Sequence, residues 1–404
     1  MKKTIPYLLF LATLSSLNAS IFDDFLDTQK IKQLHLKQNE LFQQHPHESK
    51  LFENIRFNIE HSDFDTLQRK YGIRAYTRKP GSVKKEQRQY ALQKKYIKQM
   101  QSWDKNRHLQ ERYTVLIEAL KQHNLLKLTQ EQISFEQKTL QILASYVQDS
   151  RDILKLETIK NKIAKLKLQY LQSKQSYINQ LQNIKFLLQN PNITIDAIKN
   201  EIQNIAQLSS QKFINFMLEM PLPLNANDNI TLLEREYSIN LAKERLQTLN
   251  DQEKIGLDNL ELEYDDSKKS KNALSFGLSF NIPIHSDQSK IIKEKLKLSS
   301  ANESYIQAQD ALEQQLLSLK NEIEYNINYL TLLKKELEKG TFKSSVSEIN
   351  FNTLKFLLDQ KAQKLEVKKK SISTLYKVKK DYLTLLYLTK NIDDQQFKQL
   401  MINR

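Results

Sequence analysis

The chain contains no cysteine. That rules out a disulfide, a thiolate metal site, a catalytic thiol and a lipid-modified N-terminal cysteine. Glycine and proline are scarce as well, 5 and 7 among 404 residues, far below ordinary globular usage. Both break helices, so their rarity predicts a mostly helical protein and their positions partition the chain. Gly72, Gly81, Gly256 and Gly277 lie in or beside segments that alternate like strands, and Gly340 lies between two helical stretches. A long apolar run is also missing. Beyond the N-terminal region no stretch of about 18 apolar residues occurs, which excludes a transmembrane helix and leaves a closed β-barrel as the one way to span a bilayer.

Signatures of chemistry are equally thin. No Ser/His/Asp grouping, glycine-rich phosphate loop or paired-carboxylate cleft stands out, so no enzyme and no cofactor are expected. His45-Pro46-His47 lacks further ligands nearby and is not expected to hold a metal. The net charge of +15 and the basic run Lys361 to Lys370 read as the solvated faces of lysine-rich helices rather than as a nucleic-acid site. Trp103 and the tyrosines fall mainly on helices, where core or interface roles are the default. At the N-terminus, Lys2-Lys3, the apolar run Ile5 to Leu14 and the small residues up to Ala19 resemble a secretory signal peptide cut after Ala19.

What is present falls into two classes of segment. The first is the strand. In LSFGLSFNIPI, Leu274, Phe276, Leu278, Phe280, Ile282 and Ile284 fall on one face, and Ser275, Gly277, Ser279, Asn281 and Pro283 on the other. Ile55, Phe57 and Ile59 alternate with Asn54, Arg56, Asn58 and Glu60. Tyr71, Ile73 and Ala75 alternate with Gly72, Arg74 and Tyr76. Leu260, Leu262 and Tyr264 alternate with Glu261, Glu263 and Asp265. One oily and one polar face, at a length that crosses a bilayer at a tilt, is what a transmembrane barrel requires: Leu274, Phe276, Leu278, Phe280 and Ile282 toward lipid, the charges and serines toward water. A pair of soluble hairpins packed on helices would show the same alternation.

The second class is the long helix. About 54 residues free of glycine and proline follow the fourth strand, roughly 80 Å of helix. Leu156, Ile159, Ile163, Leu166, Tyr170, Ser173, Tyr177, Leu181, Ile184 and Leu188 step by three or four, as do Leu298, Ala301, Tyr305, Ala308, Leu312, Leu316, Leu319, Ile323, Ile327, Leu330, Leu333 and Leu337. The seam is narrow, so these helices are expected to stay wet on at least one side. Turns between helices are expected at 124–129, with Asn124 as C-cap and Thr129 as N-cap, and at 339–345 around Gly340. The strand pairs, about 54–78 and 257–284, lie about 205 residues apart, each followed by helix, turn and helix. This predicts a signal peptide at 1–19 and two strand–strand–helix–turn–helix repeats, 20–220 and 221–404. Four strands cannot close a barrel, for which about eight is the smallest workable number.

The order of these parts resembles the TolC-type outer membrane efflux proteins over about residues 21–395. The stretch Asn272 to Leu330 is similar to the family's strand entering a long helix. LEMPLPL from Leu218 is similar to the link between its halves, and LLKLTQEQISFEQ from Leu125 and LEKGTFKSSVSEINFNTL from Leu337 to its two helix turns. The resemblance implies a mainly α fold with a small β part: a homotrimer whose 12-stranded outer membrane β-barrel, four strands per chain, continues into a long periplasmic α-helical barrel. It implies a channel subunit of a tripartite efflux or type I secretion system, a passive conduit from periplasm to exterior. The implied partners are further copies of the chain, a periplasmic adaptor protein, an inner-membrane pump and outer membrane lipid, with no nucleic acid. Carried over by position, the adaptor-docking tips are Asn124, Leu126 and Thr129, and Gly340, Thr341, Ser344 and Ser345. Glu131 and Glu348 are the nearest counterparts of an acidic periplasmic gate, with Asn124, Gln130 and Asn350 departing from the pattern. The rival readings are a periplasmic coiled-coil adaptor, which needs glycine-rich β-domains that five glycines cannot build, and a structural coiled coil.

Overall fold

The computed structural model describes residues 21–44, 50, 52–61, 69–79, 81–147, 150–206, 210–219, 222–266, 273–282, 288–338, 351–392 and 395–402. In chain order these form α1 (Ile21–Phe25), α2 (Gln29–Gln44), β1 (Phe52–His61), β2 (Arg69–Thr77), α3 (Ser82–Ala144), α4 (Ser150–Leu188), α5 (Ile195–Ala206) and α6 (Ser210–Glu219). Then come α7 (Ile230–Gln252), β3 (Gly256–Asp266), β4 (Ala273–Asn281), α8 (Gln288–Glu338), α9 (Phe351–Leu388) and α10 (Gln395–Ile402). The mainly helical class with four strands holds. The proposed cleavage site at Ala19 and the His45–His47 pair lie outside the described residues.

Two compact units divide the chain, and each draws on both halves of the sequence: Lys32–Trp103 with Asp228–Leu312, and Met1–Ile31 with Asp104–Asn227 and Glu313–Arg404. In the first of these the strands form one antiparallel sheet in the order β1-β2-β3-β4. The hairpin β1–β2 and the hairpin β3–β4 each slip register once, between Phe52 and Asn54 and between Leu257 and Asn259. These irregularities lie about 205 residues apart, at matching places in the two hairpins. A bulge bends and twists its strand locally, and both hairpins carry the irregularity near the start of their first strand. Gly81, which opens α3, has φ +78°, and a Cβ there would collide with Asp251. Both conformation and space therefore demand glycine. Asp251 is held by Lys254 at 2.7 Å and Arg88 at 3.5 Å, and Arg88 reaches Glu244 at 2.6 Å. The Lys254 hydrogen bond and the Arg88 charge hold its carboxyl below the usual carboxylate range. Trp103 is buried, and its indole N–H donates to the Asp228 carbonyl at 2.8 Å. Asn229 caps α7 by accepting from the Thr231 N–H at 2.9 Å, which satisfies one orphan donor of the first turn.

Among its described residues the second unit has helices and no strand. Its core gathers Phe22, Phe25, Tyr113, Leu116, Leu120, Ile198, Ile202 and Phe397, all buried. Phe397 meets Tyr113 edge-on at 5.0 Å and Tyr382 at 5.6 Å. Buried Arg112 donates to the carbonyls of Phe25 and of Leu187, the latter at 3.1 Å, so one guanidinium joins α1 to the carboxyl end of α4. A cation there also meets the negative end of the helix dipole. The predicted seam is the buried one: Ile159, Ile163, Leu166, Tyr177, Leu181, Ile184 and Leu188 in α4, and Leu316, Ile323, Ile327, Leu330 and Leu333 in α8.

One expected turn is absent. Residues 124–129 lie well inside α3, which runs unbroken to Ala144. Asn124 costs little in a helix interior, about 0.7 kcal/mol against alanine at most, and its amide donates to the buried Tyr376 hydroxyl at 2.7 Å. Thr129 returns its hydroxyl to the Leu125 carbonyl at 2.8 Å, a bond made within the helix. Asn124, Leu126 and Thr129 are thus mid-helix residues, not a tip. The chain turns instead after Ala144, where Ser145 and Tyr146 close on the carbonyls of Ile142 and Leu143.

Candidate functional site

The sheet carries its chemistry in rows. Antiparallel pairing sets Phe57 beside Ile73, Ile73 beside Leu262 and Leu262 beside Phe276. The same register aligns Ile59, Tyr71, Tyr264 and Leu274, and then Ile55, Ala75, Leu260 and Leu278. An odd-numbered offset in any one pairing would have mixed the faces, because side chains alternate with period two. Three apolar rows four strands wide result, and they point away from the protein. Phe57 is 73% exposed, Phe276 66%, Leu274 67% and Leu278 51%. A soluble hairpin pair would have laid these rows on a helix. Among the described residues no helix is long and apolar enough to cross a membrane.

The reverse face is polar and ordered by sign. Its rows run Arg56, Arg74, Glu261, Gly277 and Asn58, Gly72, Glu263, Ser275. Arg74 donates to Glu261, Lys70 lies 3.4 Å from Glu263, and the Arg56 guanidinium sits 5.0 Å over the Tyr76 ring. The ion-paired basic side chains Lys70 and Arg74 come from β2 and their acidic partners Glu261 and Glu263 from β3, while β1 adds both Arg56 and Glu60. The cross-strand ion pairs therefore join the two hairpins, a link no local spacing reveals. The sheet is 9 to 11 residues deep along each strand, the length a tilted transmembrane strand needs. Ile282 lies one residue beyond the end of β4. It is 61% exposed, but it is not part of the strand as expected, because ladder pairing stops at Asn281 opposite Gly256. Phe280 closes the β4 row inside the strand.

In the helical unit, α3, α4 and α9 meet before the turn that follows Ala144. Leu143, Ile159 and Ile163 form an apolar cluster with Leu354 and Leu358. Polar contacts continue from it: Glu136 to Lys162 at 2.6 Å, Gln132 to Glu366 at 2.9 Å, and Glu131 to Lys368 at 3.0 Å. Lys361, in the basic run, lies 5.5 Å over the Phe135 ring. Part of that run therefore binds α3 rather than facing only water. Gly340, Thr341, Ser344, Ser345 and Glu348 lie outside the described residues. The true first-half turn has a signal in Ser145 and in the Asp149-Ser150 pair, residue types that favour helix ends and N-caps.

No family model and no curated protein matches the sequence. Solved structures do. The chain is similar to the MtrE outer membrane channel of Neisseria gonorrhoeae in its open state, with TM-score 0.60 and 12% identity over 92% of this chain and 88% of that one. It is similar to CusC, whose structures concern transmembrane channel formation, with TM-score 0.57 and 12% identity over 91% and 90%. It is also similar to the outer membrane protein VceC of Vibrio cholerae, with TM-score 0.51 and 9% identity over 91% and 95%. Likeness at such identities concerns architecture, and it extends over nine-tenths of the chain: this protein has the TolC-type outer membrane channel fold.

Proposed function

We propose that this chain is the outer membrane channel subunit of a tripartite efflux or type I secretion system, and that it works as a homotrimer. The observation that carries this reading is the sheet: an exposed apolar face, a charged reverse face and two unpaired edges, β1 and β4. Unpaired edges cannot remain in hydrocarbon, where every backbone polar group needs a partner. Two copies would give about eight strands and an interior filled by side chains; three copies give about twelve and room for a lumen. Edge β4 of one protomer then pairs with β1 of the next, the apolar rows face outer membrane lipid, and Arg56, Arg74, Glu261 and Glu263 face water. Exposed apolar side chains on the helices, such as Leu168, Leu171, Leu317 and Leu332, would be covered by neighbouring protomers.

No reaction is assigned to the chain. It is a passive conduit that begins in the periplasm, and an inner-membrane pump joined through a periplasmic adaptor supplies the energy. The adaptor meets the turn after Ala144 and, in the second half of the chain, the segment of Gly340, Thr341, Ser344 and Ser345. Glu131, which Lys368 holds at 3.0 Å, and Glu348 restrict the periplasmic mouth. Fractionation tests the reading. The protein should sediment with the outer membrane and run on gels as a trimer that heating converts to monomer. A soluble periplasmic monomer would eliminate it.

A further inference from the structure

A cleft of about 650 Å³ opens in the helical unit among α3, α4 and α5. Each of the three helices sends one lysine to it: Lys127, Lys174 and Lys199. None of these ammonium groups has an ion-pair partner among the described residues. Asp196 is the one carboxylate in the lining. His123 also lines the cleft, its ring 5.7 Å from that of Tyr177. Burial holds its imidazole below the usual histidine range, and the charges of Lys127 and Lys199 push the same way. Tyr177 is 6% exposed, and its buried hydroxyl has no hydrogen-bond partner among the described residues. A buried donor left unpaired costs free energy, so an acceptor is called for at that point. Leu126, Ile178 and Leu181 complete the wall with apolar surface. The volume lies in the range of small-molecule sites, which combine an apolar wall with a few convergent polar groups.

We propose that this cleft binds a small organic anion, a carboxylate or phosphate carried on an apolar body. The charged head lies among Lys127, Lys174 and Lys199 and accepts the Tyr177 O–H, and the body rests on Leu126 and Leu181. Every residue of the cleft lies in the helical unit, so anion binding there is independent of the channel reading.

Calorimetry on the full-length protein in detergent tests the proposal, with 2-naphthoate as probe and detergent alone as blank. Naphthoate should bind, excess inorganic phosphate should displace it, and 2-naphthylmethylammonium should not bind. Tyr177→Phe should weaken binding about tenfold, the loss of one hydrogen bond to a charged group. Lys127→Gln with Lys199→Gln should weaken it by about tenfold or more. Asp196→Asn should tighten it a few-fold. The lysines and the aspartate are exposed, so these variants should fold. Bound naphthoate should also raise the titration midpoint of His123 by NMR, which a merely hydrated cleft would not do. Equal affinity for naphthoate and the ammonium, failure of phosphate to compete, or variants that bind like the wild type would overturn the proposal.

Discussion

In the sheet, Phe57, Leu274 and Phe276 stand more than half exposed. In the helical unit, Arg112 and Lys379 are buried and Asn124 is half-buried. Arg112 uses backbone carbonyls, Asn124 the Tyr376 hydroxyl, and Lys379 the faces of Phe213 and Tyr376, each 5.2 Å away. The two regions thus distribute oil and polarity in opposite senses. For the helical unit the surrounding solvent is water, and apolar burial supplies the driving force. For the sheet, on the proposed channel reading, the same rule applied with acyl chains outside turns the apolar rows outward. Substitutions in either region can break this contrast.

Phe397→Ala should be the most damaging change. The ring is fully buried between Tyr113 and Tyr382, and deleting a buried phenylalanine costs about 3–5 kcal/mol. Urea unfolding of the detergent-solubilised protein measures it, and the cost should be the same whether or not lipid is present. Phe276→Ala, a matching truncation in the sheet, should differ between detergent and bilayer. Equal behaviour of the two would erase the distinction between the regions.

Next comes the sheet itself. Leu278→Arg near mid-strand should cost about 2–4 kcal/mol in a bilayer, whereas Ser279→Arg on the reverse face should be tolerated. Folding into vesicles reads both. Comparable losses from the two would contradict the assigned faces.

Lys379 sharpens the comparison with an opposite sign. Burial drives its ammonium from the usual 10.5 down to about 8. Between these values the unfolded chain binds more protons than the folded one, so stability should rise with pH from about 8 to about 10.5 and then level off. At neutral pH the charged form carries a penalty of about 3 kcal/mol, partly offset by the two ring contacts. Lys379→Met should therefore stabilise the protein at pH 7 by about 1–3 kcal/mol and flatten that part of the pH profile. A destabilised variant with the slope intact would mean that the ammonium is not buried in solution.

The faces of the strands were legible in the sequence because period-two alternation is a local property, and Ile55, Phe57 and Ile59 display it without reference to any partner. The seam of α4 was legible for the same reason. The pairing of β2 with β3 was not, since Arg74 and Glu261 are 187 residues apart and meet only through tertiary register. The chemistry of the cleft among α3, α4 and α5 was equally hidden: Lys127, Lys174 and Lys199 look like solvated lysines until three helices bring them together. Residues 124–129 read as a turn in the sequence because Asn124 and Thr129 are cap-forming residue types, yet both find partners inside a continuous helix.

That last point supplies the smallest and most discriminating test. Asn124→Ala improves helix propensity by about 0.6 kcal/mol and forfeits the bond to the Tyr376 hydroxyl, about 1 kcal/mol, so the net loss should be a few tenths. Tyr376→Phe removes the other partner and leaves the Asn124 amide unsatisfied. The double variant loses the bond only once and keeps the propensity gain, so its stability should exceed the sum of the two single effects. Were Asn124 a left-handed cap at a turn, alanine would suffer from the unfavourable backbone conformation whatever residue 376 is, and the two effects would add. Non-additivity in urea unfolding therefore requires helix α3 to pass straight through residue 124, with its polar side chain turned inward in the manner opposite to the sheet.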